Sequence, residues 1–215
     1  MMKNRITLLL YSTIIAISLS ACQVNSTKPS GLGQKPLAAD QVQVVTGDSL
    51  YDPQTLDEEE KLAEYIVEGK ILDDAKQKLY SPDSKSVIFG ITASSFQISR
   101  VFKGNLKEGD TISIAERYYT VEENGKAVRY ELGYGPSMPN KEYIFFLIKD
   151  DDSNEFLRGF YTPSGKETGR YPVINSDEKN SFNVKSLTDG ELNLVQTKPD
   201  VYRNIYNEVI NKYMK

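Results

Sequence analysis

The stretch that constrains the fold most is EYIFFLIK, residues 142–149, in which six consecutive residues are apolar. A strand that alternates apolar and polar residues buries one face, whereas an uninterrupted apolar run of this length is typical of a strand that is covered on both faces. The sequence therefore predicts a central strand here, with other parts of the chain packed against each of its sides.

Several further segments have the alternation of β-strands: YIVEGKIL at 65–72, FQISRVFKG at 96–104, TISIAERYYTV at 111–121, AVRYEL at 127–132, and the short FLRGFYT and GRYPVI at 156–162 and 169–174. Alternation predicts that Phe96, Ile98 and Phe102 share one face of their strand, and that Ile112 and Ile114 point inward. The pair Asn124-Gly125 is typical of a type I′ hairpin turn.

Two helices are predicted to flank the strands. The first begins in TLDEEEKLAEY at 55–65, where Thr55 can cap the helix and Glu58 can complete a capping box. The second occupies the C-terminal segment from 197 onward, where Thr197 and Asp200 are placed to cap it. Its inward residues follow helical spacing: Tyr202, Ile205, Tyr206, Val209 and Tyr213.

The order of these elements predicts a mainly β fold, a small OB-like Greek-key barrel over residues 55–215 with a helix before the first strand and a C-terminal helix. Gly69 supports this interpretation because it interrupts the middle of the first strand. Glycine in that position marks a bulge or a bend, which strands need in order to close into a barrel.

The N-terminus has the three parts of a secretory signal. Lys3 and Arg5 are followed by an uncharged, apolar run from Ile6 to Leu19 and then by small residues. A helix needs roughly 20 apolar residues to cross a bilayer core, so this run is too short for a permanent transmembrane anchor. We expect residues 1–21 to be removed.

The four residues at the end of that run, Leu19, Ser20, Ala21 and Cys22, resemble the lipobox of bacterial lipoproteins. The resemblance implies that the Cys22 thiol receives a diacylglyceryl group and becomes the mature N-terminus at the extracytoplasmic face of the cell membrane. If the envelope has two membranes, Gln23 favours the outer one. A plain signal peptide with a chance cysteine is the alternative.

Residues 22–54 are predicted to be a lipidated N-terminus and flexible tether, since QVNSTKPSGLGQKPLAADQ at 23–41 is polar and shows no period. The exception is QVQVV at 41–45, whose alternation is also compatible with an edge strand. Both possibilities stay open at this point.

The stretches AEYIVEGKIL, FQISRVFKG, GDTISI and NKEYIFFLIK together resemble the netrin-like, tissue-inhibitor-of-metalloproteinase-like group of OB barrels and bacterial lipoproteins with a similar domain. The resemblance implies the fold. It does not carry over protease inhibition, because inhibitors of that group use an N-terminal cysteine that is packed on the barrel and held by disulfides. Cys22 is the only cysteine of this chain and lies about 40 residues before the first barrel strand.

Composition narrows the chemistry. Without Lys3 and Arg5 the mature chain has 24 basic against 30 acidic residues, which argues against a nucleic-acid partner. There is no histidine, which removes the commonest general base and zinc ligand. The acidic run at 150–155 fails the calcium-loop template, with Glu155 in place of its glycine and Tyr161 in place of its last glutamate. We expect no metal, cofactor or enzymatic activity.

The loop LGYGPSMPN at 132–140 is the predicted contact surface, because Tyr134 and Met138 are apolar side chains in an irregular segment. The alternative is that both fold back into the barrel.

We expect a lipid-anchored binding or scaffolding module of the bacterial cell envelope, held on the membrane through Cys22, with an envelope protein or cell-wall component as partner. The alternative function is a carboxylate-dependent envelope hydrolase. A cleft with two convergent acids of raised pKa favours the hydrolase, and an uncharged aromatic or apolar patch favours binding.

Overall fold

The structure is a computed structural model, and it describes residues 43–47, 52–82, 86–150, 153–174, 182–195 and 198–214. Two 3-10 helices, Lys166–Gly169 and Val184–Ser186, accompany the strands and α-helices of these ranges. In chain order the latter are β1 Gln43–Gly47, α1 Leu56–Leu62, β2 Tyr65–Ile71, β3 Lys76–Tyr80, β4 Phe89–Lys103, β5 Thr111–Glu116, β6 Tyr118–Glu123, β7 Lys126–Leu132, β8 Glu142–Lys149, β9 Tyr161–Pro163, β10 Arg170–Pro172, α2 Asp189–Leu192 and α3 Pro199–Tyr213.

Five strands close into a barrel, which confirms the mainly β, OB-like prediction. Strand β2 pairs with β4, β4 with β5, β5 with β9, β9 with β8, and β8 again with β2. The β5–β9 pairing is parallel and the other four are antiparallel. Around the barrel the order is β2-β4-β5-β9-β8, so β9 lies between β5 and β8 although it follows β8 in the chain. This arrangement is a Greek key.

Strand β8 is buried on both faces, as predicted. Tyr143, Phe145 and Leu147 point into the barrel, while Ile144 and Phe146 belong to a second core cluster outside it. The barrel interior is filled by side chains from all sides of the ring: Val67, Ile71, Phe96, Ile98, Ile112, Ile114, Tyr143, Phe145 and Leu147.

Gly69 lies where β2 bends, as the sequence predicts. A Cβ at this position would come within 2.2 Å of the Gln97 carbonyl oxygen, so no larger residue fits without a shift. The register between β2 and β4 shifts twice, between Ile66 and Val67 and between Glu68 and Gly69. One consequence is a correction: Phe102 does not share a face with Phe96 and Ile98, because the shift turns Val101 toward the barrel and Phe102 toward the outer cluster.

The outer cluster packs α1 and α3 against β8. All five predicted inward residues of α3 are buried: Tyr202, Ile205, Tyr206, Val209 and Tyr213. The Tyr202 and Tyr206 hydroxyls donate hydrogen bonds of 2.9 and 2.6 Å to the Arg170 and Pro172 carbonyl oxygens of β10. The tyrosine rings thus fill the core while their hydroxyl groups form hydrogen bonds.

Helix capping follows the predictions in part. Thr55 caps α1 by accepting a hydrogen bond from the Glu58 N–H, but the Glu58 carboxylate bonds to the Gln54 N–H rather than completing the box at Thr55. Helix α3 begins at Pro199, its N-cap residue Lys198 makes no side-chain cap hydrogen bond, and Asp200 lies in its first turn. Thr197 lies outside the described residues, so the predicted capping by Thr197 and Asp200 stays a prediction. Each helix in the described ranges is too short or too polar to cross a membrane.

A second, three-stranded sheet has the order β1-β7-β6. The predicted strand at 111–121 is broken at Arg117, so that β5 stays in the barrel while β6 joins this sheet. The hairpin turn is confirmed, since Asn124 and Gly125 have φ angles of 52° and 73°. Strand β1 pairs in parallel with β7, which gives residues 43–45 the edge-strand role that the sequence left open. The domain boundaries otherwise stay predictions.

Candidate functional site

The two apolar side chains of the predicted contact loop 132–140 differ in burial. Tyr134 is fully buried, with its ring centroid 4.6 Å from the Arg170 guanidinium carbon. Met138 is 44% exposed, and its N–H donates a hydrogen bond of 2.9 Å to the Tyr143 hydroxyl. Tyr134 is therefore an interior residue, because its ring packs against a buried cation. Only Met138 is accessible to a partner.

Arg170 holds that loop to the barrel. Its guanidinium is 1% exposed and lies 3.7 Å from the equally buried Glu116 carboxylate. It also donates hydrogen bonds to three oxygens, namely the Gly135 carbonyl at 2.5 Å, the Ser137 Oγ at 3.1 Å and the Asn193 carbonyl at 3.4 Å. Burial raises the pKa of Glu116, and the charge of Arg170 opposes that rise. The network joins β5, β10, the loop and the end of α2.

Glu59 is a second buried acid, on the inner side of α1. It is 0% exposed, and its carboxylate accepts a hydrogen bond from the Ser164 hydroxyl. Burial raises its pKa to about 7, and hydrogen bonds from Ser164, Thr168 and the Gly165 N–H oppose the rise. A Cβ at position 165 would lie 2.1 Å from Glu59 Oε2, so a larger residue there would displace this carboxylate.

A third buried acid, Glu131 on β7, forms an ion pair with Arg129 at 3.4 Å. Burial raises the pKa of Glu131, and Arg129 opposes the rise. Glu59, Glu116 and Glu131 are each less than 5% exposed, so each would need a structural opening to reach a substrate. Within the ranges that the structure describes, no three Asp, Glu, His or Cys side chains gather into a possible metal site.

A partly exposed group of apolar side chains lies where two connections of the barrel meet. This aromatic surface consists of Tyr80 on β3, Phe89 at the start of β4, and Phe156 and Leu157 between β8 and β9. Strand β3 is inserted between the first and second barrel strands, and Phe156 precedes the last one. In OB barrels these two connections are the loops that contact ligands.

Phe156 is the centre of the aromatic surface. Its ring centroid lies 4.7 Å from that of Phe89 and 6.1 Å from that of Tyr80. Lys78 fastens the loop to β3, since its Nζ lies 4.9 Å from the Phe156 centroid and donates a hydrogen bond of 2.7 Å to the Phe156 carbonyl oxygen. Tyr80 is 43% exposed and the adjoining Ile88 is 63% exposed. Tyr80 and Ile88 are therefore exposed beside the half-buried Phe156 ring and Lys78.

The aromatic surface has a packed support. Beneath it lies a small core cluster of Ile91, Ala93, Ala115 and Phe160. The loop that carries Phe156 is ordered by Asn154, whose side-chain oxygen accepts hydrogen bonds of 3.2 and 3.3 Å from the N–H groups of Phe156 and Leu157. These contacts order the backbone that carries Phe156 and Leu157.

Sequence reasoning did not find this surface. The prediction of a strand across FLRGFYT is wrong for its first part, because residues 156–159 form turns and Gly159 has a φ of 83°. No element was predicted for β3, since its sequence KQKLY has no apolar alternation. The one available signal was the pair Leu79 and Tyr80 just before Ser81-Pro82, which is typical of a strand that ends in a turn.

The lipobox residues Leu19, Ser20, Ala21 and Cys22 lie outside the described residues, so the lipid attachment stays a prediction. No protein-family model matches the chain, and comparison with curated proteins gives no match.

Proposed function

We propose that this chain is a lipid-anchored, extracytoplasmic binding module of the bacterial cell envelope, and that it holds its partner at the aromatic surface. The observation that carries the proposal is the gathering of partly exposed rings from two connections, at Tyr80 and Phe156, on a rigid barrel. The lipobox pattern that ends at Cys22 supports the location and the anchor.

Aromatic side chains suit such a role for a physical reason. A tyrosine ring offers a large apolar area that loses little conformational entropy on binding, and its hydroxyl can still form a hydrogen bond. Lys78, above the Phe156 ring, adds a positive charge within an otherwise acidic protein. An envelope protein or a cell-wall component with apolar or sugar faces fits this combination, since both stack on rings.

The spacing between anchor and barrel suits a partner near the membrane. Twenty residues separate Cys22 from β1. A flexible coil of that length has a reach of roughly 25 Å, which clears the lipid head groups. The hydrolase alternative is less well supported, because the acids with the largest rise in pKa are buried rather than gathered in a cleft.

Substitution at the aromatic surface tests the proposal. The Tyr80→Ala, Ile88→Ala double variant should lose about tenfold or more of its capture by purified cell-wall fragments or solubilised envelope proteins, the loss expected for a central contact of an interface. Its melting temperature should change little, because Tyr80 and Ile88 are 43% and 63% exposed.

Two controls make the result specific. Tyr80→Phe keeps the ring and should keep most of the binding. Met138→Ala removes a side chain of similar exposure, 44%, from the loop 132–140, and should bind as the unaltered protein does. Unchanged capture by the double variant would contradict a role for the aromatic surface, and loss of capture in Met138→Ala would locate binding at the loop instead.

A further inference from the structure

Strand β1 stands at the end of the order β1-β7-β6, and in the described part of the chain it has a strand neighbour on one side only. Its register with β7 is regular over five pairs, from Gln43 opposite Val128 to Gly47 opposite Leu132. The outer N–H and C=O groups of an edge strand are a template for a further strand.

The five residues of β1 include no charge, proline or bulge, which are features that normally protect an edge strand. Proteins discourage edge pairing with lysine, proline, bulges or a covering loop. The sequence QVVTG has no charge and no proline, and three of its five residues are β-branched. Val44 and Val45 are 40% and 36% exposed. The strand is therefore suited to pair with an uncharged, extended segment.

The other edge of the same sheet is capped at Thr120. The side-chain amide of Gln77, on β3, takes the place of a neighbouring strand at Thr120 of β6. Its Oε1 accepts a hydrogen bond from the Thr120 N–H, and its Nε2 donates one of 3.3 Å to the Thr120 carbonyl oxygen. In this sheet the outer edge of β6 is thus occupied at Thr120, whereas no described strand pairs with the outer edge of β1.

We propose that β1 pairs antiparallel with β1 of a second copy, which joins two three-stranded sheets into one six-stranded sheet. A second copy fits because an uncharged strand can face itself across a two-fold axis without repulsion between like charges. The association is expected to stop at two copies, because the pairing uses the open edge of both sheets and Gln77 occupies the β6 edge of each at Thr120.

The interface would be small. A pairing of five residues in each copy buries less than the roughly 1,200 Å² of a standard stable complex, so the dimer should be weak in dilute solution. It should be populated where copies are concentrated, as on a membrane surface. The pairing itself does not depend on what binds the aromatic surface or on the chemistry of the anchor.

Cysteine cross-linking of the full chain tests the pairing, in membranes and after extraction with mild detergent. Full overlap of the two strands puts the two-fold axis at the middle residue, so Val45→Cys should cross-link with itself. In the same register Val44→Cys should cross-link with Thr46→Cys in a mixture of the two variants. Opposed residues in antiparallel strands have Cβ atoms about 4.5–5.5 Å apart, within reach of a disulfide or a short cross-linker.

The unaltered chain shows any background from Cys22, and Glu122→Cys provides an exposed cysteine on the β6–β7 hairpin away from the edge. Addition of Val45→Lys should lower the yield between positions 44 and 46 about fivefold, because like charges then face each other. Melting temperatures verify that each variant is folded. Yields along β1 no higher than that of Glu122→Cys, or with no preference for this register, would overturn the proposal.

Discussion

Replacement of Glu116 by alanine is expected to lower the free energy of unfolding by about 3–5 kcal/mol, because it leaves the guanidinium of Arg170 buried without an opposing charge. The two side chains are both 1% exposed and lie 3.7 Å apart. The substitution also removes the acceptor of the Ser137 N–H, at 3.1 Å. Denaturation in urea, followed by circular dichroism, measures the loss.

An ion pair with one exposed member is the control, since Arg203 is 13% exposed and Asp189 is on the surface. Asp189 lies 2.5 Å from Arg203 but is 52% exposed, so Asp189→Ala should cost less than about 1 kcal/mol. The double variant Glu116→Leu, Arg170→Met removes both buried charges together and should recover part of the stability that Glu116→Ala loses. A loss from Glu116→Ala as small as that from Asp189→Ala would show that the carbonyl oxygens around Arg170 are sufficient to hold its charge.

The second large effect concerns pH and Glu59. The pKa of this acid is about 7 in the folded protein against an ordinary value near 4.5, so the folded state binds its proton more tightly than the unfolded state. Binding of this proton adds its full contribution to the free energy of unfolding below pH 4.5, and the contribution is lost as the pH rises to 7. The difference corresponds to about 3 kcal/mol. Glu59→Gln should therefore be more stable than the unaltered protein at pH 8.

Comparison of Glu59→Gln with the unaltered protein at several pH values isolates the contribution of Glu59, since the other acids are the same in both. The difference in free energy of unfolding should grow between pH 4.5 and 7 and then level off. Asp57→Asn changes an exposed acid in the same helix and is the control for the loss of a carboxylate from α1. A difference that is constant with pH would mean that Glu59 is ionised at low cost in the folded protein.

The sequence predicts those parts of the fold whose residue pattern depends on a single strand, helix or turn. Strand β8 is apolar on consecutive residues because it separates two cores, and α3 repeats its apolar residues at helical spacing because one face covers β8. Asn124-Gly125 selects its turn through backbone conformation alone. These features need no knowledge of distant residues.

The errors come from contacts between distant residues. Phe102 is on the unexpected face because the register of β4 shifts against β2, which alternation within β4 cannot show. Tyr134 is buried because Arg170, 36 positions later, lies under its ring. The aromatic surface depends on Tyr80 and Phe156, which the barrel topology brings together across 76 positions. No local pattern could have indicated that they meet.

Mass spectrometry of the protein extracted from bacterial membranes tests the lipid anchor most directly. We expect a chain that begins at Cys22, carries a diacylglyceryl group on the thiol and lacks residues 1–21. Cys22→Ala should abolish the modification and leave the signal uncleaved or the protein unattached. A chain that retains Met1, or one cleaved elsewhere with a free Cys22 thiol, would contradict a lipid-anchored envelope module.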